Sequence, residues 1–352
     1  MSHRVRFKDF TSAGLAAALA PHGASLRLAR RLQAAVIGGG SFPSRLDQVS
    51  PRLLDRVREA TEIPRLTRLE KRVSPVDGFA KYLFLGDGAD PFEAVCIPLL
   101  NRSDDPKVVV CVSSQVGCAM RCAFCATGQM GHRRNLSPWE IVDQVLHIRA
   151  DTEHPVRGVV FMGMGEPMLN YESVMTAAAI LSEPCGGALP AKGITISTVG
   201  IVPRIRAFTA ENRPYKLVVS ITSADPQVRV RLLPAEETYP LAEIIDALRE
   251  RHARTGTRVT LAWTLIAGVN TSVADARLIA EATRGLPFQL DLIDVNDPSG
   301  RFRPPGDAER NAFRDALREH VGVPVIRRYS GGQDIGGGCG MLAGGREPAA
   351  PK

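Results

Sequence analysis

Apolar residues and arginines recur at helical spacing through the first sixty residues. The pattern runs from Ser12 to about Ala60 and is interrupted by turn-forming residues at 21–23 and 38–40. A period of three to four residues places the apolar side chains on one face of a helix, and proline and glycine end helices. The sequence therefore predicts a small all-helical domain of three or four short helices over residues 1–62.

The next forty residues follow a different pattern. Segments at 66–73, 79–85 and 92–98 alternate between apolar and polar residues or run apolar between turn residues. Alternation is typical of β-strands, because successive side chains point to opposite faces. Residues 63–103 are therefore predicted to form a β-strand extension that leads into the main domain.

From Lys107 onwards, short apolar segments alternate with longer segments of helical period. Seven predicted strands and four predicted helices lie between Val108 and Ile326. This alternation predicts an α/β domain with a parallel sheet and right-handed crossovers, either doubly wound or curled into a barrel. The motifs described below lie near the carboxyl ends of predicted strands, where barrel enzymes carry their chemistry, which favours a partial (β/α) barrel over residues 104–345. The proline-containing tail, 346–352, is expected to be disordered.

Basic charge is concentrated at the N-terminus. Residues 1–72 carry fourteen Lys and Arg against six Asp and Glu, a net charge of +8, whereas the whole 352-residue chain has a net charge of +7. A basic module joined to a near-neutral body favours a nucleic-acid substrate, because phosphate contacts supply most sequence-independent affinity. We expect residues 1–62 to contact RNA; the alternative is a set of arginine-rich helices that only face solvent.

Cysteine use and the N-terminal residues indicate the compartment. The chain has seven cysteines, no secretory signal and no apolar stretch long enough to span a membrane. Such cysteine use in a long chain is typical of a reducing compartment rather than of a disulfide framework. We therefore expect a soluble cytoplasmic protein with no membrane partner.

Three cysteines close together carry the strongest chemical signal. Cys118, Cys122 and Cys125 stand in the run Cys-Ala-Met-Arg-Cys-Ala-Phe-Cys. Thiolates hold four-iron clusters, and three thiolates leave one iron with an open coordination position, which usually means chemistry. Structural zinc is the alternative, but it normally takes four ligands, and the sequence has no second cysteine pair or His-x-x-x-His to complete the set.

A second motif, Gly-Met-Gly-Glu-Pro at 163–167, follows the apolar segment 159–162. Glycines let a backbone approach a ligand closely, so this loop is a candidate for cofactor binding. Alone the signal is weak. Together with the cysteine motif, whose last cysteine follows an aromatic residue, it resembles the S-adenosylmethionine (SAM) site of radical SAM enzymes.

Further motifs make the chain resemble one family, the RlmN/Cfr RNA methyltransferases. The motifs are Cys-Val-Ser-Ser-Gln-Val-Gly-Cys at 111–118, Phe-Met-Gly-Met-Gly-Glu-Pro-Met-Leu-Asn at 161–170, Ser-Thr-Val-Gly-Ile-Val-Pro at 197–203, Gly-Val-Asn at 268–270 and Gly-Gly-Gly-Cys-Gly-Met-Leu-Ala-Gly at 336–344. The resemblance covers roughly residues 92–344, and the N-terminal helices match only in character.

The resemblance implies a partial barrel of radical SAM type, a [4Fe-4S] cluster on Cys118, Cys122 and Cys125, and SAM as the other cofactor. The implied reaction is methylation of C2 of an adenosine in 23S rRNA; tRNA, C8 methylation or a different RNA are alternatives. An electron donor such as flavodoxin or ferredoxin is also implied, and we expect a monomer. An alternative from another class is a non-catalytic, metal-binding RNA-binding protein.

The resemblance also assigns individual site residues. Cys339 would carry the methyl group as S-methylcysteine, Glu93 would accept the adenine ring proton, and Cys111 would form a transient disulfide with Cys339 to release the product. The residues implied to contact SAM are Gly165, Glu166, Ser197, Ser220, Ile221, Thr222 and Asn296.

Two motifs depart from the family pattern. The chain reads Ser-Ile-Thr at 220–222, where the family usually has Ser-Leu-His, and Asp-Val-Asn at 294–296, where it usually has Pro-Trp-Asn. Thr222 keeps a hydrogen-bonding group but not an imidazole, and Val295 removes an aromatic surface. These departures indicate a divergent member of the family.

Overall fold

The computed structural model describes residues 4–99, 106–297 and 299–345, so the predicted disordered tail lies outside the described residues. The strands are β1 Val5–Arg6, β2 Thr61–Glu62, β3 Thr67–Val73, β4 Ala80–Leu85, β5 Phe92–Pro98, β6 Val108–Cys111, β7 Gln115–Val116, β8 Arg134–Asn135, β9 Val156–Phe161, β10 Ile194–Thr198, β11 Lys216–Ser220, β12 Val259–Leu265, β13 Phe288–Asp294 and β14 Val325–Arg328. The helices are α1 Ser12–Leu19, α2 Leu26–Gly39, α3 Pro51–Glu59, α4 Ala126–Gln129, α5 Pro138–Asp151, α6 Tyr171–Ser182, α7 Val202–Ala210, α8 Pro226–Leu232, α9 Leu241–Thr255, α10 Val273–Ala282 and α11 Asp307–His320.

Ten strands form one continuous sheet in the order β14-β13-β12-β11-β10-β9-β6-β5-β4-β3. The seven strands from β14 to β6 are parallel, and the pairings from β6 to β3 are antiparallel. Apolar side chains from these strands and from the connecting helices form one large core. The predicted α/β class, the meander and all seven predicted parallel strands are confirmed.

Four helices of the main domain, α4, α7, α8 and α10, were not predicted. They are short, and α7 and α8 both have proline in their first helical turn. In the sequence alone, such a proline indicates a chain reversal rather than a helix. Proline fits the first turn of a helix, because its missing N–H would have no partner within the helix there. Helices α7, α8 and α10 are stabilised mainly by packing onto the sheet, which the local sequence does not show.

The N-terminal module packs α1, α2 and α3 around an apolar core of its own. The predicted helices are present, and the structure adds a two-residue parallel pairing of β1 with β2. A fully buried ion pair between Lys8 and Asp143 ties the module to α5. The exact boundaries of the domains stay predictions. None of the helices in the described ranges has both the length and the apolar character needed to cross a bilayer.

The two edges of the large sheet meet at a contact that we name the seam. There the residues after β14 pack against the turn between β3 and β4, and Asp77 accepts hydrogen bonds from the Tyr329 hydroxyl and the Gly332 N–H, both at 2.9 Å. The rings of Phe79 and Tyr329 pack edge to face with centroids 6.1 Å apart. The sheet therefore curves into a partial barrel, and the seam fixes the start of segment 329–345, which carries Cys339.

Candidate active site

A cavity of about 150 Å³ opens at the carboxyl ends of the parallel strands. Cys118, Cys122 and Cys125 all line it. They lie on the loop between β7 and α4, and Cys125 directly precedes the first residue of α4. This edge of a parallel sheet is where α/β enzymes bind ligands, so the predicted cluster motif stands at the expected place in the fold.

The donor set of this loop fits a [4Fe-4S] cluster. Burial raises the pKa of Cys118 to about 12, and burial together with the charges of the neighbouring cysteines raises the pKa of Cys122. Burial alone disfavours the thiolate form of these cysteines, and a bound cation would stabilise it, because metal ligands must be deprotonated. Across the described ranges, no three His, Cys, Asp or Glu side chains converge on a single ion. A cluster does not require such convergence, since each thiolate binds a different iron.

Gly165 and Glu166, the predicted SAM loop, also line the cavity. Gly165 has φ +102°, and a Cβ there would come within 2.6 Å of Gln115, so only glycine fits. The Glu166 carboxylate is buried and accepts backbone hydrogen bonds from Val199 at 2.9 Å and Met168 at 3.0 Å. Burial raises the pKa of Glu166 to about 7 despite these bonds. Glu166 thus joins the loops that follow β9 and β10.

Three other predicted SAM contacts, Ser197, Ser220 and Asn296, line the same cavity. Their hydroxyl and amide groups suit recognition of ribose hydroxyls and of an amino-acid group. Ile221 and Thr222 lie outside the lining and are fully buried. Thr222 has φ +55°, and its hydroxyl has no hydrogen-bond partner among the described residues. Their predicted contacts with SAM stay predictions.

Cys339 lines the cavity together with the cluster ligands. Ser330 Oγ accepts a 3.1 Å hydrogen bond from the Cys339 N–H, and Asn296 donates to Ser330 Oγ at 2.8 Å and to the Cys339 carbonyl at 3.3 Å. Thr127 of α4 donates to the Leu342 carbonyl at 2.6 Å. Polar side chains from two sides therefore hold the Cys339 segment over the cluster loop.

The Cys111 thiol lies within electrostatic range of Cys339. Cys111 is buried at the end of β6, and burial together with the negative charge of Cys339 raises its pKa to about 12. Surrounding protein atoms and the charge of Cys125 raise the pKa of Cys339 to about 11, although Cys339 itself is exposed to the open cavity. Both thiols are free, so the predicted pair is close but not joined.

Glu93 of β5 also lies outside the cavity lining and is only 2% exposed. One carboxylate oxygen accepts hydrogen bonds from the backbone of Ala343 at 2.7 Å and of Gly344 at 2.9 Å. The other oxygen lies 3.0 Å from the ammonium of Lys81. The structure therefore shows the predicted proton acceptor engaged in holding the segment that carries Cys339.

Sequence analysis missed two polar residues near the cofactor site. Thr264 lines the cavity beside Ser220, and the same argument of a hydroxyl at a strand end would have found it. Arg229 is fully buried under the cluster loop, pairs with Glu236 at 2.5 Å and donates to the Ile221 carbonyl. It gives no signal in the sequence, because an arginine in a helix normally faces solvent.

Comparison with known proteins agrees with this geometry. The family model of the radical SAM superfamily matches residues 112–276. A protein of Anaeromyxobacter sp. (strain Fw109-5) named "Probable RNA methyltransferase" is 51% identical over 323 residues, which cover 91% of this chain and 94% of that protein. A "Probable dual-specificity RNA methyltransferase RlmN" of Deinococcus deserti is 43% identical and covers 77% of this chain and 79% of its own length.

A solved structure is similar over nearly the whole chain. The crystal structure of a radical SAM methyltransferase from Sphaerobacter thermophilus has a TM-score of 0.86 and 35% identity, covering 97% of this chain and 99% of that one. The fold and the cysteine site therefore define a radical SAM enzyme that uses a [4Fe-4S] cluster and SAM. The chain belongs to the RlmN/Cfr family of radical SAM RNA methyltransferases, which leaves the non-catalytic alternative without support.

Proposed function

We propose that this enzyme methylates C2 of an adenosine in RNA through an S-methylcysteine on Cys339. The observation that carries the proposal is the position of Cys339, which lines the cavity of the cluster ligands and lies within electrostatic range of Cys111. A mechanism that carries a methyl group on one thiol and releases the product with a second thiol needs this arrangement. The relatives named as RNA methyltransferases support RNA as the substrate.

The chain's own residues would orient and release the substrate. When bound, the cluster and SAM supply a radical able to abstract a hydrogen atom. Asn296 and Ser330 hold the backbone of Cys339 so that its sulfur reaches the cavity. At the end of the reaction, Cys111 would form a disulfide with Cys339 as the bond between the Cys339 sulfur and the product carbon breaks.

Glu93 would accept the proton from the adenine ring. Its carboxylate is bound to the backbone of Ala343 and Gly344, so it reaches a substrate only when that part of the segment shifts. Removing two hydrogen bonds from a buried carboxylate also makes it a stronger base, because hydrogen bonds to the charged form lower its affinity for a proton. The shift and the proton transfer would therefore be coupled.

The RNA would approach the concave face of the sheet. Cys111 of β6 pairs with Val95 of β5, and Val95 and Glu93 point to the same face of the sheet because they are two residues apart in one strand. The Cys111 thiol and the Glu93 carboxylate therefore lie on one face. The same face continues across β9 to Thr195 and Ser197 of β10, and Ser197 lines the cavity. The basic module of residues 1–62 would bind flanking phosphates.

The oligomeric state, the compartment, the electron donor and the type of RNA are also part of the proposed function. We infer a monomer in the cytoplasm that receives electrons from a flavodoxin or ferredoxin. Ribosomal RNA is the proposed substrate, and tRNA is a second one, since several relatives carry the words "dual-specificity" in their names. The relatives at 45% and 51% identity are named without those words, so the choice of RNA requires a direct measurement.

The test is mass spectrometry of RNA nucleosides from cells with and without the gene. A 2-methyladenosine that disappears with the gene, returns on complementation and is not restored by Cys339→Ala would support the proposal. An 8-methyladenosine with the same behaviour would change the ring position but keep the mechanism. If no methylated adenosine changes, the proposed reaction is wrong. Separated rRNA and tRNA fractions would identify the substrate.

A further inference from the structure

The cluster loop is thin on its outer side. Cys118, Met120 and Cys122 line the cavity, whereas Ala119 and Arg121 between them are exposed. Arg121 has φ +53°, a left-handed conformation that is rare for a residue with a side chain and that turns the loop sharply at this position. Cavity and solvent are therefore separated by a single stretch of backbone at the place where the cluster binds.

Two other segments adjoin this loop and add arginines to its outer side. The carbonyl of Leu232 at the end of α8 accepts a 2.9 Å hydrogen bond from the Ala123 N–H, which brings Arg231 beside the loop. On the other side, Arg301 donates to the Ala123 carbonyl, and Arg303 follows two residues later. Side chains of all three segments pack on one small apolar cluster.

These arginines form an exposed patch that we name the arginine patch: Arg121, Arg231, Arg301 and Arg303. Within the described part of the chain, Arg121, Arg231 and Arg303 have no ion-pair partner. Arg301 has only Asp297 at 3.9 Å, and that carboxylate is buried and also accepts the N–H groups of Ser299 and Phe302. The patch is therefore a surface of uncompensated positive charge directly outside the cluster.

We propose that the arginine patch docks a small acidic protein that carries single electrons to the cluster. The chain belongs to the radical SAM superfamily, in which the cluster must be reduced before SAM is cleaved, and the thin loop would offer an electron donor a short route to the cluster. Carboxylates on the partner would meet unpaired arginines, which speeds association and sets the orientation. The donor loses one electron and the oxidised cluster gains it, with no bond made or broken.

RNA is the other polyanion that such a patch could bind. The proposed RNA chemistry takes place at Cys111 and Cys339, and Cys111 points to the concave face of the sheet. The exposed Ala119 and Arg121 lie on the outer side of the loop, away from the cavity that Cys118 and Cys122 line. The geometry therefore favours a protein donor. The proposal rests on the cluster and not on the identity of the methylated base.

The test compares two sets of substitutions in the reconstituted holoenzyme. The patch variant is Arg231→Gln/Arg303→Gln; Arg121 and Arg301 are left intact because the first shapes the cluster loop and the second supports it. The control variant is Lys192→Gln/Arg258→Gln, which removes two exposed cations that have no ion-pair partner among the described residues and lie near the amino ends of the strands. Both variants lose the same amount of positive charge, so any difference between them depends on where on the surface the charge is removed.

Three measurements follow, each on both variants. Binding of oxidised flavodoxin is measured by calorimetry at two salt concentrations, SAM cleavage is driven either by reduced flavodoxin or by dithionite, and RNA binding is measured by fluorescence anisotropy. We expect the patch variant to bind flavodoxin about tenfold more weakly at low salt and to cleave SAM more slowly with flavodoxin. With dithionite, which needs no docking surface, cleavage should be unchanged.

Flavodoxin binding and flavodoxin-driven cleavage that equal those of the control variant would overturn the proposal. Loss of RNA affinity with unchanged flavodoxin binding would also overturn it and make the patch an RNA surface. If the patch variant loses iron, Arg303→Glu alone replaces it, because that residue makes no contact with the loop, and the same outcomes apply. If the proposed RNA reaction is wrong, SAM cleavage driven by dithionite still takes place. That failure can therefore be distinguished from failure of the docking proposal.

Discussion

The carboxylate of Glu93 accepts a 2.7 Å hydrogen bond from the backbone of Ala343, four residues beyond Cys339. The side chain predicted to act as a base is therefore also an anchor for the segment that carries Cys339, the thiol proposed to be methylated. Glutamine at position 93 keeps one acceptor oxygen for that segment but cannot act as the base. Alanine removes both functions, so the pair of variants separates them.

Glu93→Ala should destabilise the protein by about 2 to 3 kcal/mol, the cost of losing hydrogen bonds to a charged group. The amides of Ala343 and Gly344 should lose protection from hydrogen exchange in this variant. In Glu93→Gln they should stay partly protected, while RNA methylation is lost and methyl transfer to Cys339 remains. Full RNA methylation by Glu93→Gln would show that Glu93 is only an anchor.

Substitution of Gly331 should disrupt the seam. A Cβ at this position would come within 2.3 Å of an Asp77 carboxylate oxygen and 2.6 Å of the Phe79 ring, so Gly331→Ala must push the segment away. We expect a lower melting temperature and slower methyl transfer to Cys339, measured by intact-protein mass spectrometry. Gly39→Ala is the control, because nothing lies within 4 Å of a Cβ there. Equal effects of both substitutions would contradict a special role of the seam.

Asp143→Ala should destabilise the protein strongly. It leaves the fully buried Lys8 without its partner, and burial already lowers the pKa of Lys8. Breaking a buried pair in this way costs about 3 to 5 kcal/mol, measured here by urea unfolding. The double variant Lys8→Met/Asp143→Asn removes both charges and keeps an acceptor for the Leu66 N–H, so it should recover most of the loss. A double variant as unstable as Asp143→Ala would mean that charge burial is not the cause.

Asp151 should make stability depend on pH at acid values. Partial burial acts to raise the pKa of Asp151, but hydrogen bonds from Lys71, Tyr82 and Arg68 outweigh it and lower the pKa to about 2, below the ordinary value of 3.8. The lowered pKa means that the stabilisation is complete above about pH 4 and is lost as the pH falls toward 2. Asp151→Asn should cost about 1 kcal/mol at pH 7, and the difference from wild type should shrink as the pH falls from about 4 to about 2. A difference that is constant over this range would exclude an electrostatic origin.

Local patterns in the sequence predicted the parts of this enzyme that depend on neighbouring residues. The strands are short apolar segments between turns, and the cluster ligands stand within eight residues of one another, so both could be recognised without a structure. The structure shows Ser197, Ser220 and Asn296 in the cavity because all three follow or end parallel strands. The common edge of the sheet explains why a sequence reading found them.

Contacts between distant segments could not be predicted in the same way. The engagement of Glu93 with Ala343 joins residues 250 positions apart, and nothing near Glu93 in the sequence indicates a partner. The burial of Arg229 depends on where α8 packs, which helical periodicity alone does not reveal. Sequence reasoning thus proposed chemical groups for the site but gave no sign of the contacts that restrain them in the folded protein.

The seam has a consequence for how the enzyme is assembled. Tyr329 and Asp77 are 252 positions apart, and closing so long a loop carries a large entropic cost that is recovered only when the rest of the sheet has formed. The contact between them therefore forms late in folding. Until then the segment with Cys339 is not held in place, which would give iron and sulfide a route to Cys118, Cys122 and Cys125 before that segment packs against α4 beside them. The order of folding would thus keep the reactive thiol away from the metal centre while that centre is being built.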